Sequence, residues 1–200
     1  MKSQENIPAS DGSTICPTCG GMHHLARRVR DNCFEAVPCP DCPEGQAIIQ
    51  ERFGRLFDQA DVPERYQAAI LDDFAGEHWL GAIVDALDRG EGLWIYGDTR
   101  GSGKTHLAAA CLNRHLRAGK AGLFLVVPNL LDRIRASYSG MGPDASAILG
   151  AAETVPMLIL DDLGAQKPSE WGSEKLYQIV NERYNQLRQT IVTSNLHPEV

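Results

Sequence analysis

From Gly92 onward, short apolar runs alternate with stretches in which apolar residues recur every three or four positions. The runs Leu93–Tyr96, Leu123–Val127, Met157–Leu160 and Thr190–Thr193 have the length and composition of buried strands. Between them, Lys104–Arg117, Leu130–Tyr138 and Glu174–Arg188 carry helical spacing; in the last, Leu176, Ile179, Val180 and Tyr184 share one face. Strands alternating with helices predict an α/β fold with a parallel sheet covered on both faces. Ahead of this core the pattern is helical. Ile48, Ile49, Phe53, Leu56 and Phe57 mark one helix. Pro63 suits the first turn of a second, Pro63–Ile70, because the N–H it lacks has no partner there. Trp79, Leu80, Ile83, Val84 and Leu87 mark a third, stopped near Gly90. The start of the chain follows neither rhythm and is rich in Gly, Pro and polar residues. The expected organisation is a small module with a disordered tail over 1–45, a helical linker over 46–90 and an α/β core over 91–200. Gly140–Asp144 reads as a loop.

Composition narrows the class. The hydrophobic fraction, 43%, is that of a globular chain. No apolar run approaches the roughly 20 residues of a membrane span, and Met1–Ser13 lacks the apolar centre of a secretory signal. A cytoplasmic protein is expected. The formal net charge of -7 argues against broad non-specific nucleic-acid binding but leaves room for a local DNA-contacting strip.

The cysteines change the picture of the first module. Four of six fall into two close pairs, Cys16-Pro-Thr-Cys19 and Cys39-Pro-Asp-Cys42. In a chain without an export signal, such pairs favour metal binding over disulfides. A two-residue gap lets both thiolates of a tight turn face one ion, and two turns supply the four ligands of tetrahedral Zn²⁺. Cys33, His23 and His24 are spare candidate ligands, with surface or packing roles as their alternative. Arg27, Arg28 and Arg30 lie between the pairs, where they could offset the thiolate charge. Cys111 reads as a small core residue.

The chemistry of the core is concentrated in three segments. Gly101-Ser102-Gly103-Lys104-Thr105 follows a strand and opens a helix, the context of a phosphate-binding loop. Its N–H groups would cradle phosphates, Lys104 would reach the outer ones, and the Thr105 hydroxyl would ligate Mg²⁺. The first Gly of the motif is replaced by Asp98, with Gly97 one residue early; a loop enlarged by one residue, with Asp98 turned outward, is expected. Leu158-Ile159-Leu160 ends in two acids: Asp161 is expected to hold Mg²⁺ and Asp162 to orient and deprotonate water. Thr193-Ser194-Asn195 offers polar side chains near the γ-phosphate or that water.

These residues resemble the DnaC/DnaI-type replicative helicase loaders, a branch of the AAA+ ATPases that also holds the IstB-type transposition helpers. The likeness includes Val62–Tyr66, Asp73-Phe74, the phosphate loop with His106-Leu107-Ala108, Leu160–Gly164, Glu182-Arg183-Tyr184 and Thr193–Leu196. It implies a P-loop AAA+ core with strand order 5-1-4-3-2, nucleotide contact by Gly101–His106, and Asn195 as sensor. It also implies a hexameric replicative helicase as partner and weak binding to single-stranded DNA. Arg133, Arg135 and Ser137 lie where such loaders contact DNA; a solvated basic face is the alternative. Members continue past the sensor with a fifth strand, a trans-acting arginine and a lid, whereas this sequence stops at Val200. Neither Arg183 nor Arg188 is expected to take the arginine's role. The expectation is an ATPase loader that binds ATP–Mg²⁺, turns it over slowly alone and self-associates through an open first strand. A transposition helper and a non-hydrolysing zinc/ATP-dependent adaptor are the alternatives.

Overall fold

The computed structural model describes residues 15–31, 33–138 and 144–197. The expected tail and Gly140–Pro143 lie outside the described residues, as does the Arg30 side chain. The chain divides into two compact units, residues 1–52 and 53–200.

In the first unit, β1 (His24–Arg30) pairs antiparallel with β2 (Cys33–Pro38), and helix α1 (Pro43–Gln59) begins directly after the second cysteine pair. The periodicity of the sequence does not mark this ribbon, and the reason is physical. Most of both strands is exposed, so no buried face imposes an alternating pattern. What packs instead is the cysteine cluster: Cys19, Cys39 and Cys42 are buried, with Cys16 and Leu25 against them. Arg27 and Arg28 are directed to Glu35 and Asp31, so these carboxylates, rather than the thiolates, are their ion-pair partners.

The second unit is an α/β layer structure. Its four-stranded parallel sheet has the order β3 (Leu93–Tyr96), β6 (Gln189–Ser194), β5 (Met157–Leu163), β4 (Gly122–Val126). In the family's core numbering this is 1-4-3-2, with the first strand outermost among the described residues. Successive residues of β5 face opposite layers. Met157 and Ile159 join one cluster with Leu112 and Leu116 of α3 (Lys104–Arg117). Leu158 and Leu160 join the other, with Leu130 and Ile134 of α4 (Val127–Tyr138), Ile148 and Leu149 of α5 (Ala145–Thr154), and Ile179 of α6 (Glu170–Asn185). Both faces are covered, which explains why β5 reads as an unbroken apolar run.

Residues read as a linker contribute to this core: Ala60, Val62 and Ala69 are buried in the α3 cluster, as is Leu87 of α2 (Leu80–Arg89). Gly90 ends α2 in the left-handed conformation, at φ 76°. Pro63–Ile70 is not the helix its sequence predicts. Only a 3₁₀ turn, Glu64–Tyr66, forms there, followed by another at Leu71–Phe74. The backbone bonds here run i→i+3: Tyr66 N–H to the Pro63 carbonyl, Gln67 N–H to that of Glu64 and Ala69 N–H to that of Tyr66. The buried Asn113 amide on α3 ties this turn to the core, its Nδ2 lying 3.2 Å from the carbonyls of Tyr66 and Gln67 and 2.9 Å from that of Ala69. Two further differences are small. Val127 opens α4 instead of ending β4, and α6 starts at Glu170, where the Ser169 hydroxyl accepts the Gly172 N–H.

Candidate functional site

The carboxyl ends of the strands converge on an open cleft of about 1230 Å³. Ligand sites of open α/β sheets form at this edge. The loop after β3 carries Gly101 and Gly103 at φ 79° and 88°, so both need the freedom of glycine. Gly103 caps α3, whose first turn presents Lys104, Thr105 and His106. The Lys104 ammonium donates to the carbonyls of Gly97 (2.9 Å) and Thr99 (3.0 Å) and to the Ser102 hydroxyl (3.2 Å). It therefore folds back over its own loop. Asp98 is exposed and does not line the cleft.

Asp161 and Asp162 both line the cleft, which plain strand geometry forbids, since consecutive side chains point to opposite faces. The reason is a bulge. Leu160 pairs with Val192 and Leu163 with Ser194, so two residues of β5 stand opposite Thr193 alone. Asp162 takes φ 59°, a left-handed backbone that costs a non-glycine residue about 1–3 kcal/mol. Hydroxyls of β6 stitch the bulge. Thr193 donates to Asp161 Oδ1 (2.7 Å) and accepts the Asp162 N–H (2.9 Å), and Ser194 donates to the Leu163 carbonyl (2.7 Å). Asn195 Nδ2 lies 3.5 Å from Asp162 Oδ1.

Burial raises the Asp161 pKa above the usual carboxylate range. Hydrogen bonds from Thr193 and Thr105 oppose that shift, the Asp162 charge adds to it, and Lys104 opposes it more weakly. A carboxylate and a hydroxyl that line one cleft beside a phosphate loop are oxygen donors of the kind Mg²⁺ prefers, so Asp161 and Thr105 fit that ion.

The other wall comes from the 3₁₀ turns. His106 Nε2 lies 2.6 Å from Asp73 Oδ2, and its ring meets Tyr66 and Phe74 edge-on. That contact is the main reason the Asp73 carboxyl is held below its ordinary pKa. Asp73, Phe74, Tyr66 and Arg65 line the cleft, and no spacing rule within the sequence identifies them. Thr193 was likewise visible only as part of a polar strand end.

Arg133, Arg135 and Ser137 share α4 and do not line the cleft. Arg133 pairs with Asp61 (3.1 Å). Arg135 pairs with Asp132 (3.2 Å) and lies over the Trp171 ring, and Ser137 accepts the Ala145 N–H (2.7 Å). Arg183 is fully buried and donates to a cage of carbonyls, including Ala152 and Val155 at the end of α5 and Gln189 at the start of β6.

In the first unit the ligand atoms of Cys16, Cys19, Cys39 and Cys42 all lie within 4.8 Å of one another. The Cys16–Cys39 and Cys19–Cys42 sulfurs are each 3.9 Å apart. Zn–S bonds of about 2.3 Å in a tetrahedron set sulfurs about 3.8 Å apart, so the four thiols fit zinc. Burial pushes the Cys39 and Cys42 thiols up; a divalent cation would reverse that cost. His23 Nδ1 is 3.6 Å from both Cys42 Sγ and Glu44 Oε2, while Cys33 and His24 are exposed and outside the cluster. Among the described residues no helix is long and apolar enough to cross a membrane.

Residues 82–199 match the family described as IstB-like ATP binding protein. The replicative helicase loader DnaC of Escherichia coli strain K12 is 28% identical over 116 residues, covering 58% of this chain and 47% of that protein. The replicative helicase loader DnaI of Bacillus subtilis strain 168 is 26% identical over 156 residues, covering 76% of this chain and 47% of that protein. The chain thus spans about half the length of these relatives. A crystal structure of the DnaC helicase loader superposes with a TM-score of 0.59 at 32% identity, over 68% of this chain and 81% of that one.

Proposed function

The chain belongs to the IstB-like ATP-binding family, and from that premise we propose that it is an ATPase that loads a replicative DNA helicase onto single-stranded DNA. One observation carries the chemical part: a phosphate loop, two carboxylates and an amide side chain meet in a single cleft. The relatives named as helicase loaders support the biological part.

In this reading the N–H groups of Gly101–Thr105 hold the phosphates of ATP at the start of α3. Lys104 leaves its loop carbonyls for the outer phosphates. Asp161 and Thr105 hold Mg²⁺, which when present draws charge from the phosphate oxygens. Asp162 orients the attacking water and takes its proton, with Asn195 steadying the carboxylate from the side. His106 fixes the wall of the cleft through Asp73. The cysteine module binds one Zn²⁺ through Cys16, Cys19, Cys39 and Cys42 and docks the hexameric helicase. Arg133 and Arg135 supply weak DNA contacts, with Ser137 on the same helix. A reducing cytoplasm, which keeps the four thiols available to metal, is its proposed setting.

The test is helicase loading. The chain with a replicative hexamer, ATP and single-stranded DNA should raise DNA-bound helicase, and Lys104→Ala should not. Failure to associate with the hexamer, with capture of a transposase instead, would favour the transposition-helper reading. Association and loading that persist without ATP turnover would favour the adaptor.

A further inference from the structure

We infer that Thr193 is the positioning residue that turns the second carboxylate, Asp162, into the nucleotide cleft. The inference rests on the hydrolysis reading above and deepens it. In a regular β5 one of the two acids would face away from the cleft. The bulge that brings both to one side stands opposite Thr193 alone. Its hydroxyl is 2% exposed at residue level and has both bonds in use, one to each acid. A hydroxyl has one proton to give and two lone pairs, so a single atom can orient the Asp161 carboxylate and anchor the Asp162 backbone N–H together. The β-branched side chain on a strand has few χ1 choices, which aims that atom. Asp162 needs such an anchor because its backbone is left-handed. Releasing the N–H lets the peptide relax toward the extended form and carries the carboxylate away from Asn195, 3.5 Å distant. Thr193 lines the same cleft, and its role in the reaction is exerted through Asp162.

Thr193→Val keeps the shape and removes the hydroxyl; Thr193→Ser keeps the hydroxyl. Three readouts on the full chain separate the roles: exchange of the Asp162 amide by NMR, affinity for a non-hydrolysable ATP analogue with Mn²⁺, and single-turnover hydrolysis. In the valine variant the Asp162 amide should exchange faster and hydrolysis should fall about 10-fold or more. Analogue affinity should fall less than hydrolysis does, because the loop that holds the phosphates is untouched and Asp161 loses one hydrogen bond but keeps its carboxylate. Serine should restore both amide protection and hydrolysis. Wild-type hydrolysis in the valine variant, or an equal loss in the serine variant, overturns the inference. A wild-type chain that binds the analogue but never hydrolyses ATP overturns the hydrolysis reading instead. The positioning role then stands or falls on the amide alone, and unchanged Asp162 exchange in the valine variant defeats it.

Discussion

At Asp161 burial and chemistry oppose each other. Its folded pKa is raised above the ordinary value, chiefly by burial. The native state therefore binds its proton more tightly than the unfolded chain. At neutral pH the buried charge lowers stability, and the loss is relieved as pH falls through the folded pKa. Asp161→Asn keeps an acceptor for Thr193 and removes the charge. Without nucleotide it should melt above wild type at neutral pH, by about 2–4 °C for each kcal/mol released in a chain of this size. The gap should close in acid, once the wild-type carboxyl is protonated. Melting below wild type at neutral pH would mean that the charge contributes more through Lys104 and Thr105 than burial removes. Lys104, Thr105, Asp161 and Asp162 were readable from sequence because each motif is local. Tyr66, Asp73, Phe74 and Thr193 stood out only as parts of the resemblance or of a polar strand end, and their places around the cleft were not readable. Their roles depend on β5 lying beside β6 and on Asn113 holding a distant loop, and no short spacing encodes either.

At the scale of elements, the start of α1 decides whether the cysteine module closes. A Cβ at Gly45 would collide with the backbone carbonyl of Cys39, and the Gly45 N–H donates to Cys42 Sγ at 3.3 Å. The glycine lets the helix seat directly on the second knuckle. Metal sites of this kind contribute roughly 10–16 kcal/mol of apparent binding energy to modules too small to fold alone. Gly45→Ala should therefore lower zinc content and bring early proteolysis to the first unit, as Cys39→Ser should more completely. Elemental analysis with limited proteolysis reads both. Full zinc in Cys39→Ser would transfer the ligand role to His23, the nearest spare donor among the described residues. Elements with a buried stripe on two sides, such as β5 and α3, were legible. The exposed ribbon had no stripe to show, and α5 hid in an alanine-rich segment whose buried face is only Ala145, Ile148, Leu149 and Ala152.

Across the second unit, sheet order and cleft explain each other. Crossover helices on both faces leave the carboxyl ends of β3, β5 and β6 side by side, so residues far apart in sequence meet without a dedicated loop. The phosphate loop follows β3, the acids close β5, and Asn195 follows β6. The claim that these three strand ends form one hydrolytic centre is tested most directly by radiolabelled ATP binding and turnover in two variants. Lys104→Ala should lose binding, because it removes a positive charge that offsets phosphate in the bound state. Asp162→Asn should bind ATP–Mg²⁺ like wild type and release phosphate about 100-fold more slowly or worse, because the acid acts on water only during reaction. Equal loss of binding in both variants, or undiminished turnover in Asp162→Asn, would contradict the account.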